Sequence, residues 1–298
     1  MNTKRLGFRL LDAFYILMMV LPIVCGIVLQ ILTKPYAEGV SITGARVFFE
    51  IEMPLQNFLI TESQINSALV IVVLFFFCLY LTHGLTEKCE LKRQHLAELA
   101  VEKVEALVRE NMGDYFSGFT PFVLAILALS ACSSLMSLFG LYAPTSDVNI
   151  VGGWAILVFV IITYYKFKCG PLYYLKGLAE PVAFLMPVNI IGEVATPISM
   201  AFRHYGNVLS GSVVSVLIAA GLGGISSMIM QYLPGFLADI PILQFGLPAV
   251  LSLYFDLFSS LLQAFIFAML TMLYVAGAFP IDEYELRRAK RKAKKIHK

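Results

Sequence analysis

An arginine, a histidine and an asparagine (Arg203, His204, Asn207) fall within five residues of one another inside an apolar stretch, "EVATPISMAFRHYGNVLSG", Glu193–Gly211. A charged side chain at the centre of a bilayer helix costs ~3 kcal/mol on insertion scales, so Arg203 must be paired, hydrated or set against a charge supplied from elsewhere. At about 100° per residue, Asn189, Thr196, Ser199, Asn207 and Ser210 share a helix face with Arg203, Glu193 lies at its edge and Ser212 points the opposite way. A second polar stripe runs near the C-terminus through Ser252, Asp256, Ser259, Ser260 and Gln263, with Asp256 and Gln263 two helical turns apart. A fixed cation on one helix and a carboxylate with an amide on another are groups suited to moving an ion through a membrane. Plainer readings stand beside this one. Arg203 can pair with Asp256 or Glu193 merely to fix packing, and Asp256 can be a hydrated group near a helix end. Gln263 can be a packing hydrogen bond between helices. His204 turns about 100° from Arg203 and fits a packing role. Glu193 can sit at the inner aqueous boundary, and Asp147, in "APTSDVN", can be a turn former.

These residues need membrane helices to hold them. Of 298 residues, 59% are hydrophobic and 14% charged, with a mean hydropathy of +0.80. Apolar runs of about 18 residues or more recur, which predicts an all-α polytopic membrane protein. The short alternating segments of a membrane barrel are missing. The five cysteines form no CxxC and the four histidines are scattered, so neither a disulfide framework nor a metal site is expected. No glycine-rich phosphate loop appears, and no HExxH, GxSxG-like or paired-aspartate protease pattern. No basic patch interleaved with aromatics supports nucleic-acid binding. No cofactor is expected.

Six spans are predicted, at roughly 10–32, 67–85, 118–141, 150–167, 180–222 and 243–279. Residues 33–65 read as an outside loop with some interfacial structure. The charged stretch after the second span places Leu96, Leu99, Ala100, Val104 and Leu107 at helical spacing, which predicts one amphipathic helix on the membrane surface; a soluble linker helix is the competing reading. Lys4, Arg5 and Arg9, the amphipathic helix, Lys166, Lys168 and Lys176, and the tail "ELRRAKRKAKKIHK" all fall on one side of a six-span arrangement. The positive-inside rule makes that side cytoplasmic, with both termini there. The last two segments exceed the ~20 residues needed to cross, so they are expected to be strongly tilted or partly in plane.

The chain resembles the a subunit (subunit 6) family of rotary F-type ATP synthases, bacterial type. "PISMAFRHYGNVLSG" is similar to the family pattern P-[IVL]-S-[LM]-x-x-R-L-[FY]-G-N-x-x-[AS]-G. "SLLQAFIFAMLTMLYVAGA" is similar to its final-helix pattern L-Q-A-F-[IV]-F-x-x-L-T-x-x-Y, and "GLYAPTSDVN" to its G-L-x-x-x-P-T-x-D-x-N turn. The resemblance covers roughly residues 67–280. It implies an ion-channel domain over 67–298, preceded by an extra span and outside loop over 1–66.

The resemblance further implies a non-catalytic stator subunit whose two long helices lie against a c-ring, beside stator b subunits, other synthase subunits and lipid, in a bacterial plasma membrane. Two half-channels would carry H⁺ or Na⁺ to and from the ring carboxylates. Arg203 matches the family's essential arginine, Asn207 and Gln263 match polar residues near it, and Asp256 falls where a titratable group serves the outer channel. Glu193 falls at an inner channel acid and Asp147 at the turn aspartate. Asn189, Ser199, Ser210, Ser259 and Ser260 are further candidates for channel lining. The sequence departs from the family at Ser212, where many bacterial members carry an acid, at His204 for the usual leucine, and at Ser137 for an asparagine. A secondary ion-coupled transporter with midplane charges is the alternative, although no internal repeat appears.

Overall fold

The computed structural model describes residues 2–33, 44–54, 57–85, 92–179, 182–230, 246–247, 250–251, 253–281 and 284–286. Ser252, Asp239, Pro181, Cys89 and the basic tail from residue 287 lie outside the described residues. Six helices are long and apolar enough to cross a membrane, giving an all-α polytopic architecture.

α1 spans Asn2–Thr33 and packs along α2, Glu62–Thr82. Between them the expected outside loop holds an antiparallel hairpin, β1 (Val47–Ile51) with β2 (Phe58–Thr61). Arg46 ties this end together: its guanidinium donates to both carboxylate oxygens of Glu62 (2.9 and 3.3 Å) and to the Thr33 carbonyl (3.0 Å). α2 begins earlier than hydropathy alone places it because Gln64 reaches back to accept the Thr61 amide (3.3 Å), satisfying a donor that a helix start leaves open.

At the opposite end, Asp12 of α1 accepts from Arg93 (2.6 Å) and His83 (3.1 Å), and Phe8 stacks on His83. Gly84 has φ +76, and a Cβ there would collide with the Phe8 ring, so only glycine admits this close approach.

α3, Lys92–Met112, is the amphipathic helix. Leu96 and Leu99 are exposed, whereas Val108 and Met112 are buried in the main core with Val104 and Leu107 packed against it. The C-terminal half of its stripe therefore packs on protein, and only the N-terminal half is left to a membrane surface.

α4, Thr120–Leu135, carries 3₁₀ turns at both ends, and the whole span runs Asp114–Phe139. α5, Val148–Cys169, is capped by Asp147, whose Oδ1 accepts the Asn149 amide (2.9 Å). Gly170 (φ 123) and Pro171 then close α5 and open α6, Pro171–Leu178. α7 follows, Met186–Met230, in place of the expected 180–222. Its 45 residues make about 68 Å of helix, more than twice a ~30 Å hydrocarbon core. The last span, Leu253–Gly277, opens with a π-helical turn, Leu253–Ser259, and continues as α8, Ser260–Gly277.

The main core joins α3, α4, α5, α7 and α8 around Phe267, Met272, Val275, Phe279, Met200 and Val158. Apolar burial gives little drive between helices already in lipid, so close packing of small residues matters. Ala264, Ala268 and Thr271 are buried on α8, and Ala155 meets Ala201 between α5 and α7. Gly211 of α7 lies against Phe255, 3.0 Å from where a Cβ would stand.

Candidate functional site

Arg203 projects from the middle of α7 and is exposed. Among the described residues it makes no hydrogen bond and no ion pair, so the packing pair with Glu193 or Asp256 is not formed. Ser199 and Ser210 are exposed on the same face. Two hydroxyls of this face turn back on their own helix: Ser210 donates to the Asn207 carbonyl (3.2 Å) and Thr196 to that of Gly192 (3.0 Å). The face therefore offers one unneutralised guanidinium beside hydroxyls at Thr196 and Ser210 that are already satisfied.

The two polar stripes meet at one place. Ser259 Oγ donates to Asn207 Oδ1 (3.0 Å), and Asn207 Nδ2 approaches the Ser259 carbonyl (3.4 Å). Ser260 and Gln263 turn inward and are buried, 3% and 4% exposed, so they do not share the open face of Arg203. Ser260 Oγ donates to the Phe255 carbonyl five residues back (3.1 Å), within the π turn. Asp256 sits half-buried in that turn. A π turn advances less than 100° per residue, so the wheel that aligned Asp256 with Gln263 rotates between them.

At the lysine-bearing end of the bundle lies a cavity of about 1250 Å³, lined among others by Lys166, Tyr174, Asn189, Glu193, Thr196 and Tyr274. Glu193 is half-buried there and accepts from both Lys166 Nζ and Tyr174 Oη. Burial, then the hydrogen bond to Glu193 and its negative charge, push the Tyr174 phenol up to about 12. Asn189 donates to the Leu178 carbonyl (2.8 Å), pinning α6 to the start of α7.

At the other end stands a polar cluster that sequence reasoning singled out only at Asp147. Asp147 accepts from Ser63 of α2 while capping α5. Asn66 donates to the Tyr142 carbonyl (2.8 Å), and Ser134 bonds Thr145 (3.1 Å). Burial and the nearby Asp147 charge raise the Tyr142 phenol above its ordinary value. Ser63, Ser130, Ser133, Ser134 and Thr145 are fully buried. The only sequence signal for Ser130, Ser133 and Ser134 is the density of serines in "LSACSSLMS", since single hydroxyls in apolar helices read as packing. His204, also fully buried, lies on the α4–α5–α8 side of α7 against Ser130, Trp154 and Phe267. Among the described residues no cluster of three or more His, Cys, Asp or Glu side chains is placed to hold a metal.

Residues 65–276 match the family model described as ATP synthase A chain. The chain is 32% identical over 247 residues to ATP synthase subunit a of Priestia megaterium, covering 78% of this chain and 98% of that one. It is 26% identical over 234 residues to ATP synthase subunit a of Legionella pneumophila (strain Paris), covering 76% and 90%. To the Propionigenium modestum protein named "ATP synthase subunit a, sodium ion specific" it is 34% identical over 145 residues, covering 48% of this chain and 43% of that relative. With six candidate spans and a family match across five of them, the chain belongs to the ATP synthase A chain family, the non-catalytic membrane subunits of ion-translocating ATP synthases.

Proposed function

We propose that this chain supplies the ion path of the synthase membrane sector, as two half-channels that bring H⁺ or Na⁺ to carboxylates of a c-ring and take it away again. The observation that carries the reading is Arg203, a guanidinium exposed at the middle of a membrane helix with no counter-charge among the described residues. Lipid does not tolerate such a group cheaply, and a carboxylate brought past it on a neighbouring rotor supplies the missing anion. An opposite charge within ~4–6 Å lowers a carboxylate pKa by ~1–3 units, which releases its ion on one side of Arg203 and prevents direct leakage to the other. A guanidinium stays charged throughout, as an ammonium in low dielectric does not.

The cavity around Glu193 and Asn189 is the inner half-channel in this reading, and the cluster at Asp147, with Asp256, serves the outer one. The lysine-bearing end faces the cytoplasm with both termini, and the stator b subunits and lipid flank the remaining surface. Either ion remains compatible with these groups.

The test is directional. Single cysteines at Ser199 and Ser210, on the Arg203 face, are expected to crosslink to the carboxylate-bearing helix of the c subunit in the assembled complex, and one at Ser212, on the opposite face, is not. Arg203→Ala is expected to abolish coupled ATP synthesis. Equal crosslinking from both faces, or coupled synthesis retained in Arg203→Ala, would overturn the reading.

A further inference from the structure

Two buried polar atoms, one on the residue after Arg203 and one on α4, have no hydrogen-bond partner among the described residues. His204 is 0% exposed, and its Nδ1 has no hydrogen-bond partner among the described residues; its Nε2 faces Ser130 Oγ at 3.4 Å. Ser133, one turn along α4 from Ser130 and also 0% exposed, has an Oγ with no hydrogen-bond partner among the described residues. Buried polar atoms are satisfied in the great majority of cases by protein or ordered water, and two orphans at one helix junction call for the latter. The surroundings give no apolar reason for an imidazole: Trp154 stands edge-on at 6.2 Å and Phe267 at 5.7 Å, and a leucine would fill the same space.

The junction also has a position. Along α4, Ser130 and Ser133 lead to Ser134, which bonds Thr145, two residues before Asp147 and its partner Ser63. Buried hydroxyls thus run from the Asp147 end of the bundle to the residue beside Arg203. Other charged groups on the packed elements lie elsewhere. Arg203 itself points to the open face, Asp256 sits in the π turn, Lys166 is engaged by Glu193, and α4 and α8 carry no charged residue.

We infer that His204, with Ser130, Ser133 and an ordered water, is a buried proton-relay site feeding the Arg203 face from the Asp147 end. With the ring resting as the Nδ1–H tautomer, the Ser130 hydroxyl gives its proton to Nε2 and is reprotonated from the Ser133 side, while the Nδ1 proton passes to the water and on toward the Arg203 face. The ring is neutral before and after the transfer and a flip of the ring restores the starting tautomer, so no charge accumulates and no redox partner is needed. This rests on the half-channel reading above, and it commits the transported ion on this side to H⁺.

The test uses the whole complex in proteoliposomes, reading ATP-driven acidification against pH, with the amount of this chain copurifying as the measure of assembly. His204→Gln keeps an amide for hydrogen bonding but cannot carry a proton through. It is expected to cut pumping by about tenfold or more and to flatten its pH profile while assembly holds. Ser130→Ala with Ser133→Ala removes the hydroxyls without adding volume, is expected to slow pumping several-fold, and decides the matter if His204→Gln fails to assemble. Native pumping rate and pH profile in the variants, or pumping that follows Na⁺ alone, would overturn the relay. Arg203→Ala run in parallel separates the two readings: coupling lost there but untouched at His204 sinks only the relay, whereas coupling kept there sinks the half-channel reading itself.

Discussion

Glu193 and Lys166 are 27 residues apart on separate helices, and their pairing is the most direct handle on the lysine-end cavity. The perturbation is a double-mutant cycle: Glu193→Gln, Lys166→Met and the two together. Both side chains keep about a fifth of their surface exposed, 21% and 23%. Breaking a fully buried pair costs ~3–5 kcal/mol because the survivor is left unpaired. An exposed pair is worth ~0–1 kcal/mol after solvent screening. The intermediate burial places each single variant at about 1–3 kcal/mol. Glu193→Gln leaves Lys166 as the dominant charge over a cavity that also contains Lys176, which repels an arriving cation. If that cost is borne at the ion's passage, ATP-driven pumping falls by roughly five- to 150-fold, since each ~1.4 kcal/mol is a factor of ten. The double variant removes the stranded charge and is expected to recover much of this loss, giving a coupling of about 1–2 kcal/mol in the cycle. The assay is pumping rate per assembled complex, with thermal unfolding as a parallel readout. Losses that add within ~0.5 kcal/mol would show that the two groups act separately and refute the reasoning.

Two further outcomes follow from the geometry. Asp147→Ala loses the α5 cap and the acceptor for Ser63 together, and is expected to destabilise the chain by about 2–4 kcal/mol, while Asp147→Asn retains most of that; thermal unfolding checks both, and an alanine variant within 0.5 kcal/mol of native would contradict the capping role. Tyr174, its phenol raised from 10.0 to about 12, contributes stability that is fully present below pH 10 and lost as pH rises through 12. The stability gap between native protein and Tyr174→Phe should therefore narrow across that window, and a gap independent of pH would show that Tyr174 does not titrate against Glu193.

Much of the fold was legible because each span leaves a long uninterrupted hydropathy signal, and the first four of the six spans start and end near where that signal changes. The family match also decides against the secondary transporter. Boundaries moved where local chemistry outranks hydropathy. Gln64 extends α2 backward, and α7 starts at Met186, after a 3₁₀ turn over Ala183–Leu185. The hairpin at Val47–Thr61 was illegible because strands of five and four residues barely outlast a turn. At the site, Arg203 and Asn207 stood out because polar groups in lipid are rare. Lys166 as the partner of Glu193 did not, since pairing across helices has no sequence period. The serines of α4 escaped for a different reason: a hydroxyl that bonds its own helix and one that bonds a neighbour look identical in sequence.

Pro197 lies inside α7, four residues after Glu193. A proline there has no N–H for the Glu193 carbonyl and crowds it sterically, so one rung of a 45-residue helix is missing just where the cavity leaves room. From that point to Met230 the helix has no second proline, and Arg203, His204 and Asn207 lie together on that side of it. Bending is favoured at that position, where the ladder of the helix is already interrupted. A bend there changes the angle between the segment that carries Arg203 and the turn that carries Glu193, so it is felt at the Lys166–Glu193 contact on the rim of the cavity.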